Sequence, residues 1–122
     1  MKLAVKYLHK ALVTKIEGLG YRTQGAFPYV EIYSFDETPG GNKEDDYFEV
    51  TCIVEPISNS LDPSESLNML EAIRTGITTL TLDEYRCFGI YFEQHTPQHE
   101  AGEADLNIWR QTQRVRFHLE LK

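Results

Sequence analysis

With 122 residues, 41% hydrophobic and 25% charged, the chain has the make-up of one globular domain that can bury a core without metals or disulfides. No apolar run reaches membrane-spanning length, and Met1-Lys2-Leu3-Ala4-Val5-Lys6 lacks the features of a secretory signal, so the expectation is an intracellular protein with no membrane partner. The formal net charge of −7 is concentrated: residues 36–46 carry −4 and residues 96–106 carry −3, which leaves a framework of balanced charge and argues against tight nucleic-acid binding.

Residues 2–17 read as a helix, because Val5, Leu8, Leu12 and Ile16 recur at intervals of three and four with Ala11 beside them. Gly18 and Gly20 stop it, and Leu19 is placed to fold back on the last turn. Pro28 opens a strand over residues 29–35, with Val30 and Ile32 on one face and Tyr29, Glu31, Tyr33 and Phe35 on the other. Residues 36–46, centred on Pro39, Gly40 and Gly41, form a long, mobile acidic hairpin tip. The chain returns as a strand over residues 47–55, with Phe48, Val50, Cys52 and Val54 sharing a face, and Pro56 ends it.

Asp62-Pro63-Ser64-Glu65 has the pattern of a helix start: an Asp cap, a proline at the first helical position, and an acid three residues after the cap. That helix runs to about Leu80 with a stripe of Leu67, Leu70, Ile73, Ile77 and Leu80, and Gly76 weakens its last turn. Residues 86–95 form a strand with Phe88, Ile90 and Phe92 on one side. Residues 96–106 are a second acidic loop. Residues 107–121 form a long last strand in which Trp109, Val115, Phe117, Leu119 and Leu121 alternate with Ile108, Arg110, Thr112, Arg114, Arg116, His118 and Glu120; Gln111 and Gln113 are the exceptions on the apolar side.

The fold class that follows is α+β, a mostly antiparallel four-stranded sheet in the order α-β-β-α-β-β, with both helices on the face that holds Val30, Val50, Ile90 and Phe117. The opposite face should then be wet and polar. Instead it collects Tyr29, Tyr33, Phe35, Tyr47, Ile53, Tyr91 and Ile108, interleaved with Glu31, Glu49, Glu93 and Glu120 and with Arg110, Arg114, Arg116 and His118. Cross-strand packing with exposed ion pairs accounts for any one of these residues. The set together predicts a subunit interface made of Tyr29, Glu31, Tyr33, Tyr47, Glu49, Tyr91, Arg110, Arg114 and Arg116, since aromatics and arginine are enriched where proteins meet.

No motif for catalysis stands out. There is no glycine-rich phosphate cradle, no nucleophile elbow, and no serine, cysteine or lysine with a base beside it. His95-Thr96-Pro97-Gln98-His99-Glu100 is the one stretch with metal-type residues, but Pro97 prevents the two histidines from sharing a helical face, so it reads as solvated loop. Cys52 and Cys87 have no close spacing and read as small buried hydrophobes. No cofactor and no metal are expected.

The succession of an amphipathic helix, Phe27-Pro28-Tyr29-Val30-Glu31-Ile32, a charged hairpin, Phe48-Glu49-Val50-Thr51-Cys52-Ile53-Val54, a helix with Ser66-Leu67-Asn68-Met69-Leu70-Glu71-Ala72-Ile73-Arg74, and Gln113-Arg114-Val115-Arg116-Phe117-His118-Leu119 at the close resembles the tail-completion and tail-terminator proteins of tailed bacteriophages and prophages. The resemblance implies a non-enzymatic structural protein. It implies a ring homo-oligomer, often hexameric, that joins tail tube to head–tail connector proteins, found in the host cytoplasm during assembly and then in the virion tail. Two alternatives stay open. One is a single-stranded nucleic-acid-binding module that uses the aromatic and arginine face. The other is a small ligand-binding domain with its site between sheet and helices.

Overall fold

A computed structural model describes residues 3–39, 47–101 and 107–122. The elements are α1 (Ala4–Gly18), β1 (Tyr29–Pro39), β2 (Tyr47–Asn59), α2 (Ser64–Ile77), β3 (Tyr85–Ala101) and β4 (Asn107–Leu121), which is the α+β order expected. The four strands form one antiparallel sheet in the order β1-β2-β4-β3, so β4 is central and pairs along its length with β2 and β3.

Helix α1 buries Ala4, Leu8, Leu12 and Ile16, one residue per turn, against the sheet. Its first turn has no local cap. The amide of Val5 donates instead to Glu37 Oε1 at 2.9 Å, so an acid from β1 fills the role of an N-cap and meets the positive end of the helix dipole. At the other end the chain leaves the helix through Gly20, whose φ of +94° suits glycine. Leu19 reaches across to α2, where a Cβ on Gly76 would lie 3.0 Å from Leu19 Cδ1. Gly76 therefore marks the close approach of the two helices rather than a weak point in one of them.

Helix α2 begins at Ser64, one residue later than expected, with Pro63 at the cap position rather than inside the first turn, and Asp62 Oδ1 accepts the Ser64 amide at 2.8 Å. It ends at Ile77, earlier than expected, and a short turn carries Thr79 and Leu80. Its buried stripe uses Met69 where Leu67 was expected; Leu67 is 40% exposed.

The strands correct the reading of the loops. β1 runs on to Pro39 and β3 to Ala101, so residues 36–39 and 96–101, expected in acidic loops, lie in the sheet; residues 40–46 and 102–106 lie outside the described residues. The long partner strands explain this, since β2 pairs as far as Pro39↔Phe48 and β4 as far as Ala101↔Asn107. β2 also continues through Pro56 to Asn59. Its recorded pairing with β4 skips Glu55 and Pro56 and resumes at Ile57↔Arg110, so the missing amide is spanned by its neighbours.

Three irregularities decide which side chains face where. A bulge between Tyr33 and Asp36, with Ser34 at a left-handed φ of 57°, adds a residue to β1. It turns Phe35 away from the tyrosines to the helix side, where its ring stands 5.7 Å from that of His9. A bulge between Cys87 and Gly89 does the reverse to Phe88, placing it on the open face at 48% exposure rather than beside Ile90 and Phe92. A third, between Phe92 and His95, turns His95 inward.

The core lies between the helices and Val30, Val50, Cys52, Val54, Val115, Phe117 and Leu119 of the sheet. Each such aliphatic side chain contributes roughly 1.5–3 kcal/mol by leaving water. The two glutamines that break the apolar alternation of β4 are buried and satisfied. Gln113 Oε1 accepts from the Arg74 guanidinium of α2, and its amide donates to Arg114 O at 2.8 Å. Gln111 donates to Ser66 Oγ at 3.1 Å and accepts from His95 Nε2 at 2.7 Å. This polar seam fixes α2 on the sheet, because leaving any of these buried groups without a partner would be unfavourable.

Candidate subunit interface on the open face of the sheet

Both helices lie on one face, so β-strand alternation sends every second side chain of the sheet to the other. The nine residues expected to form an interface all fall on that second face, in two groups at opposite ends of β2 and β4.

At one end the register sets Glu49 opposite His118 and Tyr91 opposite Arg116. The His118 ring lies within 4.9 Å of Tyr91, 5.6 Å of Tyr47 and 5.8 Å of Phe88, centroid to centroid, and its Nδ1 is 3.0 Å from the Tyr47 hydroxyl. The Arg116 guanidinium stacks over the Tyr91 ring at 4.8 Å. Around this aromatic box run the ion pairs Arg116–Glu49, Arg116–Glu93 and Arg114–Glu93, each at 3.6 Å, and His118–Glu49 at 3.7 Å. Those distances exceed hydrogen-bond length, and Arg116 Nε and His118 Nε2 are buried without a hydrogen-bond partner. Tyr91 stays 45% exposed.

At the other end Glu55 is the hub. It is 3% exposed, although this face has no helix over it. Its carboxylate accepts from Tyr33 Oη at 3.1 Å, from Arg110 Nη1 at 3.2 Å and from Thr112 Oγ1. Arg110 also reaches Glu100 at 3.2 Å. Glu31 stands directly opposite Glu55 across the β1–β2 pair. Burial, then the negative charge and hydrogen bond of Glu55 and the charge of Glu31, pushes the Tyr33 hydroxyl up to about 12. Burial works against the Arg110 charge, but Glu55 and Glu100 outweigh it and hold its pKa above the ordinary value. Tyr29 completes the row, with its ring 5.5 Å from Phe27.

Sequence reasoning missed Glu55 and Phe88. Glu55 is the last residue of the strand expected to end at Pro56, with no role, whereas the strand runs on to Asn59. Phe88 was assigned to the core, though Gly89 within a strand pattern is the kind of signal that marks a bulge. A Cβ on Gly89 would lie 3.0 Å from the Tyr91 ring and 3.3 Å from His118 Cβ, so glycine there leaves room for the aromatic box.

Each described arginine on the face has a carboxylate within 4.0 Å: Arg86–Glu120, Arg110–Glu55, Arg114–Glu93 and Arg116–Glu49. A groove for a phosphate backbone needs unneutralised cations, so this weighs against the nucleic-acid alternative. The His95–Glu100 stretch is strand, not the loop expected. His95 is bound to Gln111, and His99 stacks flat on Trp109 at 3.8 Å while its Nε2 donates to Asn107 Oδ1 at 2.9 Å. Among the described residues no group of three or more His, Cys, Asp and Glu could hold a metal ion. Among the described residues, too, no helix is long and apolar enough to cross a membrane. Both cysteines are free thiols; burial pushes Cys52 up to about 12 and raises Cys87 above its ordinary range.

No family model matches the chain, and no curated protein matches it in sequence. Among solved structures, the chain is similar to a component of the virion of a native gene transfer agent particle, with a TM-score of 0.70 and 15% sequence identity over 97% of this chain and 99% of that one. At that identity the likeness is one of fold, and it runs end to end through both chains.

Proposed function

We propose that the chain is a structural protein of a phage or phage-derived particle, a tail-completion or tail-terminator subunit that assembles as a ring, often hexameric in such proteins, at the head–tail end of the tail tube. The observation that carries this reading is the end-to-end fold likeness to a component of a gene transfer agent virion. The open face supplies the physical motive for assembly. Phe88 and Tyr91 are 48% and 45% exposed, beside ion pairs too long for hydrogen bonds, and Tyr33 at the other end of the face is 36% exposed. A second subunit laid over part of this face would exclude water and strengthen those pairs.

The interface in this reading is Tyr29, Glu31, Tyr33, Tyr47, Glu49, Tyr91, Arg110, Arg114 and Arg116. The partners are further copies of the chain, the tail tube and head–tail connector proteins, and the subunit moves from host cytoplasm into the virion tail. The role is non-enzymatic.

Co-expression with a tail-tube protein, where one is encoded beside it, followed by sedimentation and electron microscopy, tests the proposal. A ring seated on the tube end is the expected result. A chain that stays monomeric with the tube present, or that comes from a neighbourhood of metabolic genes, would overturn it.

A further inference from the structure

The two ends of the open face spend their polar groups differently. At the Glu55 end a run of hydrogen bonds crosses all four strands: Tyr33 of β1 and Thr112 of β4 donate to Glu55 of β2, and Gln98 of β3 donates to Thr112 at 3.3 Å. Arg110 closes the network by reaching Glu55 and Glu100, each at 3.2 Å. These groups are satisfied within the chain and gain no hydrogen bond from a neighbour. At the His118 end the rings are packed on one another, Tyr47 against Phe88 at 5.3 Å and Tyr91 against His118 at 4.9 Å, so the patch is preorganised and covering it immobilises little. The links from Glu49 and Glu93 to Arg114 and Arg116 stand at 3.6 Å, longer than hydrogen bonds, so they are the ones that excluding water would strengthen.

Charge separates the two ends as well. The chain carries −7, so two copies repel at long range. At the Glu55 end Glu31, Glu55 and Glu100 face Arg110, an excess of two acids. At the His118 end Glu49, Glu93 and Glu120 pair with Arg86, Arg114 and Arg116, three against three, and the surplus acid nearby, Asp36, lies outside them at the β1 edge. We propose that a second copy of the chain docks on the His118 end of the face and that the Glu55 end is scaffold outside the contact. The inference rests on the ring reading and narrows its interface to Tyr47, Glu49, Tyr91, Arg114 and Arg116, with Phe88 and Glu93 added. The occupant is another copy because an internally neutralised aromatic patch has no charge with which to select a basic or acidic partner, and it is the part of a −7 chain on which two copies meet without adding to their repulsion. Such a contact responds to salt in a definite direction. Screening shortens from about 10 Å at 0.1 M to about 3 Å at 1 M, which removes the repulsion between copies and leaves the aromatic burial intact.

Sedimentation equilibrium of the full chain tests this. Self-association is expected to tighten between about 0.1 M and about 1 M salt. Tyr91 is 45% and Arg114 46% exposed, so Tyr91→Ser and Arg114→Glu should fold, which a thermal melt checks. Tyr91→Ser is expected to weaken association about tenfold or more at both salt concentrations, and Arg114→Glu, which unbalances the patch, by about tenfold at the lower one only. Tyr33→Phe, at the other end of the face, should change it by less than about twofold. A chain that stays monomeric at about 1 M salt, association that weakens as salt rises, or a loss in Tyr33→Phe equal to that in Tyr91→Ser overturns the inference. None of these outcomes touches the ring reading, which falls only if no ring forms on the tube end.

Discussion

Replacing Glu55 by alanine tests whether the open face is organised around a buried carboxylate or is a set of independent surface pairs. The change removes the acceptor shared by Tyr33, Arg110 and Thr112. If the pairs were ordinary surface contacts, the loss would be about 1 kcal/mol or less. If Glu55 and its partners were all sealed from water, breaking the cluster would cost about 3–5 kcal/mol. The structure lies between these limits. Glu55 is 3% exposed, but the Arg110 side chain is 26% exposed and keeps Glu100, and Thr112 keeps Gln98. The expected destabilisation is therefore about 2–3 kcal/mol, built from three hydrogen bonds to a charged group, with the losses at Arg110 and Thr112 partly offset by their remaining partners. At about 3–5 °C per kcal/mol for a chain of this size, Tm should fall by roughly 6–15 °C. Glu55→Gln keeps an acceptor for Tyr33 and Thr112 and should lose only about 1 kcal/mol. Glu93→Ala, which removes a carboxylate 3.6 Å from Arg114 and Arg116, should lose about 1 kcal/mol at most. Urea titrations of the three variants give the ranking. A Glu55→Ala loss no larger than that of Glu93→Ala would refute the reasoning.

The Tyr33 hydroxyl should make stability fall in alkali: its folded pKa of about 12 stands above the ordinary value of 10.0, so the stabilisation is whole below pH 10 and is lost as pH rises towards 12. Thermal melts between pH 9 and 12 should show a shallower fall in Tyr33→Phe, and parallel curves would count against the assignment. Ser34 occupies a left-handed backbone conformation, so Ser34→Gly should be neutral to stabilising by up to about 1 kcal/mol and Ser34→Val destabilising by more than 1 kcal/mol, measured by urea denaturation; equal effects would argue against the bulge. Cys52 should resist maleimide in the folded chain at pH 7.5 and react on unfolding, because it is buried with its thiol pushed up to about 12; mass spectrometry of the labelled protein reads this directly.

The elements and the wet-face anomaly were legible in the sequence because both depend on periodicity. Burial in β4 alternates from Gln111 to Leu119, and the two polar residues on its buried side, Gln111 and Gln113, mark where α2 binds through Ser66 and Arg74. What was not legible depends on single residues inserted into that period. Phe35 and Phe88 exchange faces because one extra residue in a strand inverts the parity beyond it, while apolarity alone gives no sign of the insertion. Strand ends were misplaced for a related reason. Acidic and proline-bearing residues weigh towards loops, but long partner strands carry the pairing through residues 36–39 and 96–101 and past Pro56.

Both outermost strands of the sheet, β1 and β3, are kinked by bulges, and each carries a proline, Pro39 or Pro97. Neither offers a long, flat template onto which a stranger's backbone could zip. A chain with such edges is thereby protected from runaway strand addition before it meets any partner. Its choice of neighbour is left to side chains, which a mismatched protein cannot imitate by backbone alone.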